Sequence, residues 1–372
     1  MSQQSWELVR ATEADLAKVH VLTRQVYGPD TLAHPDYWRW LTRDNPTGLA
    51  YAGVAKANDE VVGAAMMVPA HAKVGDRQVL AYLSVNTVVR ADFRRRGISS
   101  TLADWALEDS VKIGSEFTFL ALGPSSKGSW RKSSLWKVVG PASPLMLKFL
   151  DVGAVLAYRG IKSRPIHWLA GAGYELISPF LRRRWFNRPD PDLTISEVTS
   201  FDEHFDRFWE RVRHKYSTLL VRDAAFLQWR YKDVPLKQAR CLVATDGAGE
   251  IVAYIVFRGT DLRGIATGMI LDLLIEPSER GRGAGNQLVA QATRQFKADR
   301  LALGVCLMFK HTDENKVLRD QGYIPCPRSL EPYPLTLLYK LPTDRIVQSE
   351  VVKSRDRWFF TLGDWGIDAF SA

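Results

Sequence analysis

Ile270-Leu-Asp-Leu-Leu-Ile-Glu-Pro-Ser-Glu-Arg-Gly-Arg-Gly-Ala-Gly-Asn-Gln-Leu288 changes character twice. It opens inside an apolar run, Met269 to Ile275, that predicts a buried strand. Glu276-Pro277 stops that strand, because proline has no N–H to give to a ladder. Gly281, Gly283 and Gly285 follow at every second position, with Arg280 and Arg282 between them. From Asn286 a helix is predicted, since Leu288, Val289, Ala292 and Phe296 recur on a helical period. A strand, a Gly/Arg turn and a helix N-terminus make an anion site. Residues without side chains let successive N–H groups converge on a phosphate, and the helix dipole adds to the attraction. The plainer reading is a solvated turn.

The chain around this stretch is long enough for two domains, at 372 residues. A hydrophobic content of 46% with 24% charged residues is that of a globular protein. The net charge of +9 suits an anionic ligand, nucleic acid or an acidic membrane surface, or merely a basic solvated surface. Cys241, Cys306 and Cys326 are too few and too scattered for a disulfide framework, and no metal site is expected. No signal-peptide pattern and no long uncharged apolar stretch is visible, so a cytoplasmic location is expected.

Strands are expected at Trp6–Arg10, Ala50–Ala55, Val61–Val68, Val79–Val89 and Phe117–Leu122. Helices are expected at Thr12–Tyr27, opened by the capping-box pattern Thr12-x-x-Asp15, at Thr101–Ile113 and at Ser129–Val139. After residue 191 the same order returns. Trp40-x-x-Arg43-Asp44-x-Pro46 matches Trp229-x-x-Lys232-Asp233-x-Pro235 at an offset of 189 residues. Arg94 follows Trp40 by 54 positions and Arg280 follows Trp229 by 51. Two landmarks kept in register indicate an internal duplication. Between the copies, Leu145–Leu156 and Ile166–Phe180 are mostly apolar and close on Arg182-Arg-Arg184, which predicts a helical connector. Its helices either pack between the halves or offer a basic amphipathic face over 166–188 for peripheral membrane contact.

This order of elements resembles the GNAT acyltransferase superfamily, whose signature is Arg/Gln-x-x-Gly-x-Gly/Ala between the fourth strand and the following helix. Arg280-Gly-Arg-Gly283-Ala-Gly285 fits at every defined position, and Arg94-Arg-Arg-Gly97-Ile-Ser99 fits except at Ser99. The implied fold is α/β (α+β): two tandem GNAT domains, each a mixed, mostly antiparallel sheet flanked by helices. The implied division is a degenerate N-terminal copy (1–150), a basic helical connector (151–191), a C-terminal copy with the acyl-CoA loop (192–345) and an aromatic tail (346–372). A narrower likeness is to bacterial tandem members linked with surface-polysaccharide synthesis.

The resemblance implies that acetyl-CoA, or a related acyl-CoA, lays its pyrophosphate on Arg280, Gly281, Arg282, Gly283, Ala284 and Gly285. Its pantetheine arm would pair with the backbone of Leu273, Leu274 and Ile275. The expected catalytic residues are Asp272 as base and His311 as a second base or water holder, although a structural Asp and a surface His fit the same positions. The first copy has Asn86 in place of Asp272, which tilts catalysis toward the second. The family's Tyr acid is replaced by Leu318, and by Trp136 in the first copy. The expected reaction is acyl transfer to a primary amine of a small molecule, with an amino sugar as the favoured acceptor on the narrower likeness alone. Nucleic acid is not an expected partner. The other classes left open are an aminoacyl-tRNA-dependent transferase of the peptidoglycan type and a non-catalytic acyl-CoA-binding module.

Overall fold

The structure, a computed structural model, describes residues 5–28, 34–122, 136–141, 145–181, 190–236, 238–327, 336–341 and 346–364. The first half runs β1 (Glu7–Arg10), α1 (Glu13–Tyr27), α2 (Pro35–Thr42), β2 (Tyr51–Ala57), β3 (Glu60–Val74), β4 (Arg77–Val89), α3 (Ile98–Lys112), β5 (Phe117–Leu122), β6 (Lys137–Pro141) and β7 (Leu145–Phe149). Helices α4 (Val152–Tyr158) and α5 (Arg164–Leu181) form the connector. The second half begins β8 (Thr194–Val198), α6 (Glu203–Val212), β9 (Thr218–Leu220), α7 (Ala224–Tyr231), β10 (Arg240–Thr245), β11 (Ile251–Leu262) and β12 (Ile265–Ile275). It continues through α8 (Glu279–Ala298), β13 (Leu303–Leu307), α9 (Asp313–Asp320), β14 (Ile324–Pro325), β15 (Thr336–Lys340) and α10 (Ile346–Lys353).

Local chemistry sets these boundaries. Thr12 Oγ1 accepts from the Asp15 N–H while Asp15 accepts from the Thr12 N–H, closing the capping box that starts α1. Gly322, at φ +83°, lets the chain turn out of α9 and brings the Tyr323 N–H onto the Leu318 carbonyl. Helix α8 begins at Glu279, earlier than the Asn286 expected, because Ser278 caps it by accepting from the Gly281 N–H.

The two sheets are ordered β1-β2-β3-β4-β5-β15-β6, with β9 beside β3, and β14-β7-β13-β12-β11-β10-β8. Each therefore holds a strand from the other half. Thr336–Lys340 pairs antiparallel with Leu122–Thr118, and Leu145–Phe149 pairs antiparallel with Leu307–Leu303. Sheet membership thus crosses the sequence boundaries at 150 and 345. The duplicated tryptophans meet at the centre of this exchange. Trp40 donates its indole N–H to the Trp229 carbonyl at 2.8 Å, and Trp229 returns the bond to Trp40 at 3.1 Å. Their rings stack with centroids 4.7 Å apart. One continuous apolar core runs through both halves, from Val19 to Leu362.

Three expectations need correction. The predicted helix Ser129–Val139 gives strand β6 from Lys137, its earlier part lying outside the described residues. The run Leu145–Leu156 is not one helix: Leu145–Phe149 is a strand, buried at its three central residues and recruited by the other sheet. The connector does not pack between the halves, since Ile166, Trp168, Leu169, Leu176 and Ile177 are all exposed. Arg182, Arg183 and Arg184 lie outside the described residues.

Candidate active site

In the second copy β12 pairs with β13 only from Thr267 to Ile270, so the two strands part beyond that point. The parted edge is already filled. The Ile275 N–H donates to Glu314 Oε1 at 3.2 Å, and the Leu273 N–H donates to Asp272 Oδ1 at 3.1 Å. Leu273, Leu274 and Ile275 are all buried. Glu314 has no exposed surface and also accepts from Lys215 Nζ at 2.8 Å and from the Tyr216 hydroxyl. The tail seals the site: Trp358, Phe359, Phe360 and Leu362 are buried, and Gly363 sits so close to Tyr231 that a Cβ would lie 1.9 Å from its oxygen.

Asp272, the expected base, is fully buried at the centre of an ionic cluster. Its Oδ2 accepts from Arg222 Nε at 3.0 Å, Tyr254 at 3.0 Å and Tyr231 at 3.2 Å. Arg222 Nη2 also holds Asp364 at 2.7 and 2.8 Å. Burial works against the Arg222 charge, but the two carboxylates outweigh it and push its pKa well up. Burial raises Tyr231 and Tyr254, with Asp272 adding to it, so both phenols stay protonated donors. Every oxygen of Asp272 therefore has an intramolecular donor and no route to solvent. His311 stands apart from this cluster. Its Nε2–H donates to the Trp358 carbonyl at 2.9 Å, and its Nδ1 lies 3.7 Å from Asp356. Burial lowers its pKa, which keeps the ring neutral at pH 7.

The signature residues of this copy are equally committed. Gly281, Arg282, Gly283, Ala284 and Gly285 lie in the opening turns of α8 rather than in a loop. Gly281 is needed for close approach, since a Cβ would fall 2.1 Å from the Glu276 carbonyl oxygen. Arg280 reaches Asp190 at 3.6 Å and Asp246 at 3.8 Å, and Arg282 reaches Asp320 at 3.9 Å.

The first copy differs at each of these points. Strand β4 pairs with β5 only from Ala81 to Leu83, leaving Ser84–Val89 parted from it and, apart from buried Val88, half-buried. A bulge against β3 sits here, with Ala64 opposite Val88 and Met66 opposite Val85, and it turns Asn86 to φ +50°. Among the described residues, the Ser84 hydroxyl and the Asn86 amide nitrogen are buried without a hydrogen-bond partner. Beyond β4 the chain turns through Arg95 at φ +64° and Gly97 at φ +81°, and α3 then starts with no side-chain cap. The Thr101 N–H closes the first helical bond on the Gly97 carbonyl, so the preceding donors of Ile98, Ser99 and Ser100 have no helical acceptor. Arg94 and Arg95 are exposed beside them, and Arg96 Nη1 is buried without a partner among the described residues. Ser99, which breaks the signature, lies on the helix and leaves this turn open. The Tyr27 hydroxyl, at the end of α1, stands 3.5 Å from the Thr87 carbonyl, and burial raises its pKa against the opposing charge of Arg94.

A small cleft of about 40 Å³ lies where the copies meet. Leu83 and Val85 of β4 line it together with Tyr37, Trp40, Phe226 and Trp229, and Arg230 and Asp364 bring its polar groups. The aromatic segments read as core in the sequence thus also wall a cleft. The stacked pair Trp40–Trp229 signalled itself through the duplication. Ser84, Tyr27, Arg222 and Glu314 carried no such signal, because each owes its role to strands that meet only in the fold.

A sheet parted beyond its central parallel pair, with a Gly/Arg turn leading into a helix, is the architecture of acyltransferases. The chain belongs to the GNAT superfamily and carries two of its domains in tandem. A model described as "Acetyltransferase (GNAT) domain" matches residues 7–129, and one described as "Acetyltransferase (GNAT) family" matches residues 199–318. Similar solved structures include a conserved Enterococcus faecalis protein described as a probable N-acyltransferase (11% identity, TM-score 0.61, 91% of this chain and 73% of that one). A GCN5-related N-acetyltransferase from Kribbella flavida gives 17% identity, a TM-score of 0.59 and coverage of 91% and 71%. Saccharomyces cerevisiae N-myristoyltransferase with bound myristoyl-CoA gives 12%, 0.57, 91% and 79%. These likenesses concern the fold. No protein of curated function matches the sequence.

Proposed function

We propose that the protein transfers an acyl group from an acyl-CoA to a primary amine, and that the N-terminal copy holds the acyl-CoA. The supporting observation is the contrast between the two parted strands. In the first copy, Ser84 and Asn86 offer unpartnered polar atoms and the turn before α3 is uncapped. In the second, Asp272, Glu314 and Ser278 accept from the backbone N–H groups of Leu273, Ile275 and Gly281. This reverses the assignment drawn from the signatures alone, and Asp272 becomes a positioning residue for Arg222 and the tail.

In this reading the free N–H groups of Ile98–Ser100, with Arg94 and Arg96, bind the pyrophosphate. The open edge of β4 pairs with the pantetheine arm, and the bulge at Asn86 faces the thioester. A short acyl group enters the interdomain cleft, and the amine approaches at its mouth. Reaction forms a C–N bond and breaks the C–S bond; the amine's proton passes to solvent water, and the sulfur leaves as the thiol of CoA. The Tyr27 phenol, whose hydroxyl lies 3.5 Å from the Thr87 carbonyl, is the proposed donor of a proton to the departing sulfur. An amino sugar is one acceptor to test.

The test is thiol release from acetyl-CoA and longer acyl-CoAs with a panel of amines, beside calorimetry with CoA. Binding and turnover that are lost on Gly97→Asp support the reading. Turnover with charged tRNA instead, or CoA binding without turnover of any amine, sinks it.

A further inference from the structure

The connector hairpin is fixed on one side and bare on the other. Asp151 caps α4 through the Ala154 N–H at 2.9 Å, and the His167 ring closes on the Ile161 carbonyl at 2.6 Å. Tyr174 meets Phe149 edge-on at 5.7 Å, and Glu175 reaches Lys297 at 4.0 Å. The inner face of α5 is therefore docked on the second sheet and on the end of α8. The outer face carries Ile166, Leu169, Leu176 and Ile177 at helical spacing, 48 to 74% exposed, while Trp168, 72% exposed, borders the groove that Glu175 and Lys297 line. Seven of the thirteen exposed large hydrophobic side chains among the described residues fall between Tyr158 and Ile177, so the exposure is a patch rather than scatter.

Within 165–177 the only charged residue is Glu175, and that carboxylate is turned to Lys297. Basic residues edge the patch instead. Arg159, Lys162 and Arg164 are exposed at the turn into α5, with no carboxylate partner among the described residues, and Arg300 is exposed nearby. An apolar stripe about 16 Å long with a basic margin is the pattern of a helix lying in a bilayer surface. No described helix is long and apolar enough to cross a membrane, so the helix would lie flat rather than span. A second copy would set two basic margins together on a chain already at +9, whereas anionic lipid matches their charge.

We propose that α4–α5 docks the protein on an anionic lipid bilayer, with the Ile166–Ile177 face inserted and Arg159, Lys162 and Arg164 over the headgroups. The hairpin abuts the turn at Gly264, at the opposite end of β12 from Ile275, so docking leaves the cleft uncovered. The experiment is flotation of the full chain with phosphatidylcholine vesicles, with and without phosphatidylglycerol, at low and physiological salt. Binding to the anionic vesicles alone, weakened by salt, is expected. Arg159→Gln/Lys162→Gln/Arg164→Gln should lower partitioning roughly 100-fold, at about fivefold per charge. Leu169→Glu/Ile177→Glu should lower it at least tenfold, with an unchanged thermal melt showing that the fold is intact. No binding to anionic vesicles, or binding that both sets of substitutions leave intact, overturns the proposal. A dimer in light scattering that Leu169→Glu/Ile177→Glu dissolves, without lipid binding, assigns the face to a second copy and overturns it too.

Discussion

Gly97→Asp separates the two copies most sharply. The backbone there stands at φ +81°, but a Cβ would meet nothing within 4 Å, so the side chain fits without a clash. Holding a non-glycine residue in this region costs about 1 kcal/mol, less for Asp than for most residues. The larger effect is electrostatic. The new carboxylate would stand at the uncapped N-terminus of α3, where the proposed pyrophosphate lies. At about 5 Å and an effective dielectric of about 20, two unit charges repel by roughly 3 kcal/mol. Screening at physiological salt leaves about half of that or more. CoA affinity should therefore fall by roughly 10- to 100-fold in calorimetry. Gly97→Ala carries the backbone strain without the charge and should weaken binding only a few-fold. Gly283→Asp also meets open space, and should leave affinity unchanged. Should Gly283→Asp abolish binding while Gly97→Asp leaves it intact, the cofactor belongs to the second copy.

Other substitutions test the remaining parts. Asp272→Asn strips Arg222 of one of its two buried carboxylates and should destabilise the protein by about 3–5 kcal/mol in urea unfolding, with kcat of the folded fraction unchanged. A thousandfold fall in kcat at unaltered stability would restore it as the base. Tyr27→Phe should lower kcat by roughly 100-fold with KM little changed, measured by thiol release. Asp15, 2% exposed, is held at about 2 because Lys56 and Thr12 outweigh the upward pull of burial. A depressed carboxylate stabilises the fold above its unfolded value of 3.8, and that contribution is lost as pH falls toward 2. The gap in unfolding free energy between wild type and Asp15→Asn should thus be about 2 kcal/mol at pH 7 and close between pH 4 and 2.

The order of elements was legible because strands and capped helices advertise themselves locally. Thr12-x-x-Asp15 starts α1, Gly322 ends α9, and the duplicated Trp-x-x-basic-Asp-x-Pro segments foretold two copies. The site was legible only as a motif. Arg280–Gly285 matches the signature better than Arg94–Ser99, yet Ser278, Asp190, Asp246 and Asp320 occupy its donors and charges. Those partners come from sequence positions that no local window joins to the loop. Asp272 looked costly to bury, and it is; Arg222, fifty positions earlier, compensates it. Strand β7 was hidden for the same reason, since its partner β13 lies more than 150 residues downstream.

The traded strands also set a timetable for folding. The first sheet cannot be closed until residues 336–340 exist, although β5, on one side of the gap they fill, ends at Leu122. At roughly 5–20 residues per second, the ribosome needs about 10–40 s to carry synthesis from residue 150 to residue 340. Throughout that interval the edges of β5 and β6 stand unpaired, an invitation to other chains. A nascent chain of this design has reason to depend on a chaperone. A piece cut at residue 150 would keep that exposed edge permanently, and its solubility should return only when the other piece is made beside it.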